Sequence, residues 1–187
     1  MIYRTLPLMY NMEIATGTLA ATLHAIKAIV SVYDGYERGR FMKTDEAVRA
    51  EIQRRCEMLI VHAEKLQGDA HRKEMRAIRQ EVGEIIESIQ GYRRDAQFAI
   101  AGANLSGHSG LGKLNAKAVR KLVNHDSVSL NSLVEATRMG NDVTEMFVQS
   151  SVEEEIQTEV ARWHHKINRA RNHFLERNMF IDGLKKR

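Results

Sequence analysis

An apolar stripe in the middle of the chain constrains the fold more than any other feature. Its members recur at alternating intervals of three and four residues. They are Met75, Ile78, Val82, Ile85 and Ile89. This spacing places them on one face of an α-helix, because a helix completes a turn in about 3.6 residues. The stripe is narrow, so the helix is expected to cover it against a helix of a second copy, which makes these residues a predicted oligomer interface.

A second stripe precedes the first and predicts another helix. It begins at Thr44 or Asp45 as N-cap, and Gly68-Asp69 either ends it or introduces a kink. Its members are Val48, Ile52, Cys56, Leu59, Ala63 and Leu66. The two stretches form either an antiparallel hairpin or one long helix with a defect at Gly68, and we favour the hairpin.

The C-terminal half predicts three further helices. Asn115 is placed to cap a short basic helix that ends near Val123, and residues 124–127 read as a turn. A second short helix then ends at Gly140, and Asn141 or Asp142 opens a long helix. The apolar stripe of this last helix includes Ile156, Val160, Trp163 and Ile167.

Composition agrees with an all-helical chain. Pro7 is the single proline in 187 residues, and aromatic residues make up 6% of the chain. Cys56 is the single cysteine, which excludes an intrachain disulfide and suits a reducing compartment. No secretory signal is expected. We predict an all-α extended helical assembly rather than a compact globule, in three segments: 1–43, 44–103 and 104–187.

Residues 14–33 form a twenty-residue stretch in which Lys27 is the single basic group. A helix of that length spans about 30 Å, the thickness of a bilayer core. The stretch is either a buried helix of an oligomer or a helix that inserts into a membrane under some conditions. The membrane-facing candidates are Leu19, Leu23, Ile26 and Val30.

A glycine-rich stretch follows the middle helix and predicts a hinge, because glycine in a helix interior costs backbone entropy. Its glycines are Gly102, Gly107, Gly110 and Gly112. Ser109 does not fit a nucleophile elbow, since Leu111 stands where that motif requires glycine. A phosphate-binding loop is also excluded, because His108 stands where that loop has lysine.

No catalytic residue, cofactor or metal site is predicted. The eight histidines show no His-x-x-x-His pair, and adjacent His164 and His165 point to different sides of a helix. The basic helix after the hinge either faces solvent or protein, or contacts DNA phosphates. The residues placed for such contact are Lys113, Lys117, Arg120 and Lys121.

The stretch from Glu87 to Gly110, ESIQGYRRDAQFAIAGANLSGHSG, resembles a pattern in internal core (ejection) proteins of T7-like short-tailed phages. In that family a long polar helix with arginine and alanine runs into a small-residue turn, and a further long helix follows. The likeness covers residues 75–112, and the remaining chain is similar in layout. Where the family often has a hydrophobic residue and an acid after the turn, this chain has Lys113-Leu-Asn-Ala.

The resemblance implies a non-enzymatic structural protein inside the virion. Such proteins oligomerise near the portal, contact other core proteins and help to form a conduit for the genome across the host envelope. Residues 14–33 would then meet the host membrane. The alternatives are a portal-adjacent adaptor or scaffold of a virion and a cellular helical-bundle adaptor that binds partner helices.

Overall fold

Five α-helices carry the apolar stripes of the sequence. The computed structural model describes residues 19–36, 40–99, 115–149 and 152–185. The helices are α1 (Leu19–Ile29), α2 (Phe41–Arg72), α3 (Arg76–Phe98), α4 (Ala116–Gln149) and α5 (Glu153–Lys185). These ranges contain no β-strand, so the all-α prediction is confirmed.

Helices α2 to α5 form an up-down-up-down four-helix bundle. The most extensive contacts join α2 with α3 and α4 with α5, which follow each other after short connections and are therefore antiparallel. The bundle closes where α3 packs on α5 and α2 packs on α4. Helix α1 packs against α4 at the end of the bundle where α2 and α4 begin.

The apolar stripes meet inside this single chain. Ile78, Val82, Ile85 and Ile89 of α3 are fully buried, as are Ile156, Val160, Trp163 and Ile167 of α5, while Met75 is half-buried. All of the fully buried residues belong to one core, to which each of the three predicted segments contributes. The predicted extended assembly was therefore wrong. A three-and-four spacing requires that a stripe be covered, and it does not specify which chain covers it.

Helices α2 and α3 form the favoured hairpin, with a turn that differs from the predicted one. Helix α2 continues through Gly68 to Arg72, and the chain reverses at Glu74, whose φ is +59°. Helix α2 also begins at Phe41, so Thr44 and Asp45 do not cap it. Both side chains are fully buried inside the helix instead.

Helix α4 is continuous where two short helices and a turn were predicted, and that prediction was wrong. Asp126, placed in the expected turn, is fully buried and accepts hydrogen bonds from Tyr33, which follows α1, and from Arg177 of α5. Helix α4 passes through Gly140 because the indole of Trp163 packs there; a Cβ on Gly140 would lie 2.8 Å from Trp163 Cζ2. Asn115 does cap the helix, since its Oδ1 accepts the N–H of Ala118 at 2.8 Å.

The N-terminal helix ends earlier than predicted, at Ile29 rather than near Tyr33. Helix α1 has eleven residues, and its membrane-facing candidates pack inward: Ile26 and Val30 are buried, and Leu19 and Leu23 are half-buried against the core. Among the described residues no helix combines the length and the apolarity required to cross a bilayer.

Candidate functional site

The residues predicted to act fall into two groups. The four hinge glycines and Lys113 lie outside the described residues. Lys117, Arg120 and Lys121 are exposed in the first two turns of α4, and the ammonium of Lys121 lies 4.4 Å from the centre of the Phe180 ring. Contact of these three residues with DNA stays a prediction.

The structure brings polar side chains together in three other places. The first is a buried network around Arg177, which is fully buried on α5. Its Nε donates to Asp126 Oδ1, and its Nη2 donates to the Tyr36 hydroxyl at 2.6 Å. The same Nη2 forms an ion pair with Asp45 Oδ1 at 2.8 Å, and Tyr33 donates its O–H to Asp126 Oδ2 at 2.7 Å.

The charges of this network balance. Arg49 donates from Nε to the second oxygen of Asp45 at 2.9 Å, so two guanidinium groups face two carboxylates. Burial by itself lowers the pKa of Arg177, but Asp126, Tyr36 and Asp45 together raise that pKa well above its ordinary value. Burial raises the pKa of Tyr33, and the charge of Asp126 raises it further.

The network is structural, because Asp45, Asp126 and Arg177 are closed to solvent and engage one another. It ties α2, α4 and α5 to the turn after α1. The sequence contains a signal for this buried network. Asp45, Asp126 and Arg177 each occupy a position in register with the apolar stripe of its helix; Arg177, for example, lies between Phe174 and Ile181. A charged residue in such a position has to be paired.

The second place is a cluster between α3 and α5, formed by Glu81, Glu84, Ser88 and His164. His164 Nδ1 lies 2.6 Å from Glu81 Oε1, and His164 Nε2 lies 3.0 Å from Ser88 Oγ. Glu84 is exposed and the other three residues are half-buried. One ligand atom from each of Glu81, Glu84 and His164 lies within 4.8 Å of the others.

The order serine, histidine, carboxylate is also that of a nucleophilic triad. Ser88, however, lies inside α3, where the backbone N–H groups around it donate to carbonyls of the preceding turn. The backbone there cannot supply an oxyanion hole, which acyl transfer requires. The cluster is better suited to holding a cation or a shared proton.

The prediction that the chain has no set of metal ligands rests on residue spacings within single helices. Glu81 and Glu84 come from α3 and His164 comes from α5, eighty residues later in the chain. Their convergence depends on how α3 packs against α5. Residue spacing within one helix therefore does not predict this convergence of residues from two helices.

The third place is an open groove of about 640 Å³ on the outer face of α5, away from the core. Met139 of α4 and Ala161 contribute to it, and its charged lining consists of Arg162, Lys166 and Arg169 with Glu154. Arg162 pairs with Glu159, and Lys166 pairs with Glu135. Arg169 and His165 are exposed and have no ion-pair partner within the described helices.

Comparison with known protein families, with curated proteins and with solved structures finds no match to this chain. The class of protein is therefore defined by the fold, an all-α bundle with a paired ionic core. Any function has to be argued from its surfaces.

Proposed function

We propose that this chain is a non-enzymatic structural protein that acts by pairing with a second copy of itself through the outer face of α5. The observation that carries the proposal is the groove along that face, whose cations include the unpaired Arg169. An open cationic groove favours a partner that presents acidic side chains, and the same helix presents them at its own N-terminus.

The charges of α5 are arranged for antiparallel pairing. Its first turn carries Glu153, Glu154 and Glu155. In a two-fold antiparallel pair centred on Ala161, the acidic first turn of each copy lies beside the second half of the other copy's groove, where Arg169 is exposed. A two-fold interface makes each such contact twice. Opposite charges that face each other fix the register of the pair.

The centre of the groove allows the two helices to approach closely. Ala161 is exposed and has the smallest side chain on this face of α5. Met139 lies half-buried beside it, and a flexible thioether adapts readily to a partner surface. Small residues at a helix crossing shorten the distance between the axes, which lets the flanking charges reach each other.

A bulky charge at the centre tests this proposal. We expect Ala161→Glu to shift the protein from dimer to monomer in sedimentation equilibrium, because each copy then places a carboxylate at the two-fold axis. Ala50→Glu is the matched control, since Ala50 is exposed on α2. If parent and Ala161→Glu have the same mass at every concentration, the proposed interface is wrong.

A second candidate function is the internal core or ejection protein of a virion. The likeness of residues 75–112 supports it. The ionic network in the core is a further argument, because buried ion pairs contribute less net stability than apolar packing of the same volume. A bundle of that kind suits a protein that opens to build a conduit. A pairing surface also suits the remaining alternatives, a virion scaffold and a cellular adaptor.

Leakage of a dye from liposomes separates these roles. An ejection protein is expected to release the dye, and Lys27→Glu is expected to weaken its binding to the vesicles. A folded protein that neither binds nor permeabilises liposomes would instead support the adaptor.

A further inference from the structure

The cluster between α3 and α5 has the composition of a metal site. Imidazole and carboxylate are the ligands that zinc takes in proteins beside thiolate. Three such groups, with one ligand atom each, already lie within 4.8 Å of one another. We propose that Glu81, Glu84 and His164 bind one Zn²⁺ ion between the two helices.

The two glutamates share one face of α3. Residues three apart on a helix are surface neighbours, so Glu81 and Glu84 both reach the side on which α5 packs. His164 comes from the opposite wall, and its ring is half-buried. A bound ion would join the two helices at this point, and water would complete a four-coordinate shell as in zinc sites with three protein ligands.

Ser88 supplies the partner that a ligating histidine requires. A histidine bound to metal through one ring nitrogen almost always donates the N–H of the other nitrogen to a nearby acceptor, which fixes the orientation of the ring. His164 Nε2 lies 3.0 Å from Ser88 Oγ, and Nδ1 is the nitrogen that faces Glu81. This contact is independent of the acidic residues themselves.

A small movement admits the ion. Nδ1 of His164 and Oε1 of Glu81 are now 2.6 Å apart, as in a hydrogen bond. Two ligand atoms about 2.0 Å from a tetrahedral zinc ion are about 3.3 Å apart. The side chain of Glu81 is long and half-buried, and that of Glu84 is exposed. Both can make this shift without moving the helices.

Equilibrium dialysis of the full chain against ZnCl₂, followed by metal analysis, tests the site. We expect one Zn²⁺ per chain. Glu84→Gln removes a ligand at an exposed position and is expected to abolish that stoichiometric binding with the helical circular dichroism unchanged. Ser88→Ala is expected to weaken the affinity by about ten- to a hundredfold, because it removes the group that orients the histidine.

The neighbouring histidine gives a matched control. His165 is exposed on the other side of α5, so His165→Gln should bind Zn²⁺ as the parent does, whereas His164→Gln should not. Co²⁺ in place of Zn²⁺ is expected to give the absorption of a tetrahedral centre in the parent and in His165→Gln. Equal zinc binding by parent, Glu84→Gln and His164→Gln would overturn the proposal, as would the absence of saturable binding by the parent.

Discussion

At the scale of single residues, Arg177 is the side chain that connects the buried polar groups of the core. It is fully buried and contacts carboxylates from α2 and α4 and a hydroxyl from the turn after α1. Its removal would leave Asp126 and Asp45 with a net excess of buried negative charge. The contribution of Arg177 is therefore better measured by what its loss exposes than by the strength of any one contact.

Arg177→Met is expected to lower the free energy of unfolding by about 3–5 kcal/mol, because breaking a buried ion pair leaves an uncompensated charge. Urea denaturation followed by circular dichroism measures it. Arg94→Met, at an exposed position of α3, is the control and should change stability by less than about 0.5 kcal/mol. Equal stability of the two variants would show that the network is not closed as described.

The buried tyrosines predict how the bundle responds to alkali. Burial is the main cause that raises the pKa values of Tyr33, Tyr36 and Tyr92 above the ordinary phenol value. Each raised pKa favours the folded state while the phenol is protonated. Stability from this source is complete below about pH 10, and it falls above that pH as the unfolded chain releases protons that the folded chain retains.

Each of these phenols should contribute a slope of about 1.4 kcal/mol per pH unit above about pH 10. Urea denaturation at a series of alkaline pH values measures the total slope. Tyr33→Phe should reduce that slope by about 1.4 kcal/mol per pH unit, which is the contribution of one phenol. A free energy of unfolding that stays constant from neutral pH to beyond the phenol range would contradict the burial of these side chains.

At the scale of elements, the existence of the helices followed from the sequence and their ends did not. The three-and-four spacing located α2, α3 and α5 correctly, because burial of one face is a local pattern along the chain. Local propensity predicted a helix end at Gly140 and either an end or a kink at Gly68. Both lie inside helices, since tertiary packing outweighs the cost of about 1 kcal/mol for one glycine.

The candidate sites were harder to predict for the same reason. Asp45 and Asp126 have ordinary roles as an N-cap and a turn residue when only their neighbours in sequence are considered. Their partner Arg177 lies on a third helix, and the packing of the bundle brings the three together. The cluster between α3 and α5 likewise brings together residues from two helices. Contacts between residues of different helices do not recur at regular intervals along the chain, so the pattern of one helix does not predict which residues pair.

Gly68 and Gly140, which lie inside continuous helices, give predictions of opposite sign for the effect of alanine on stability. Gly140→Ala should destabilise the bundle by about 1–3 kcal/mol, because its Cβ would lie 2.8 Å from the Trp163 ring. Gly68→Ala should stabilise it by about 0.5–1 kcal/mol, because the nearest atom is Arg72 Nη1 at 3.8 Å and alanine favours the helix. Thermal unfolding of both variants checks the pair. Stabilisation by both would mean that Trp163 does not pack over α4 as described.

At the scale of the whole molecule, the compact core changes what the apolar stripes mean. Ile85 was expected to join chains, and it is fully buried within one. Ile85→Asp would therefore unfold the bundle and report nothing about assembly. Self-association has to use surfaces that the folded chain leaves open, and the proposed surface is the outer face of α5, with its exposed Arg169 and its acidic first turn.

Sedimentation equilibrium of a charge-reversed pair tests the antiparallel α5 interface most directly. Arg169→Glu should weaken the dimer, since it places a carboxylate beside the acidic first turn of the other copy. Adding Glu153→Arg to the same chain should restore the dimer, because it replaces one acidic charge of that turn by a basic charge beside the new carboxylate. A double variant that is no more dimeric than Arg169→Glu, or a parent that stays monomeric throughout, would contradict the account.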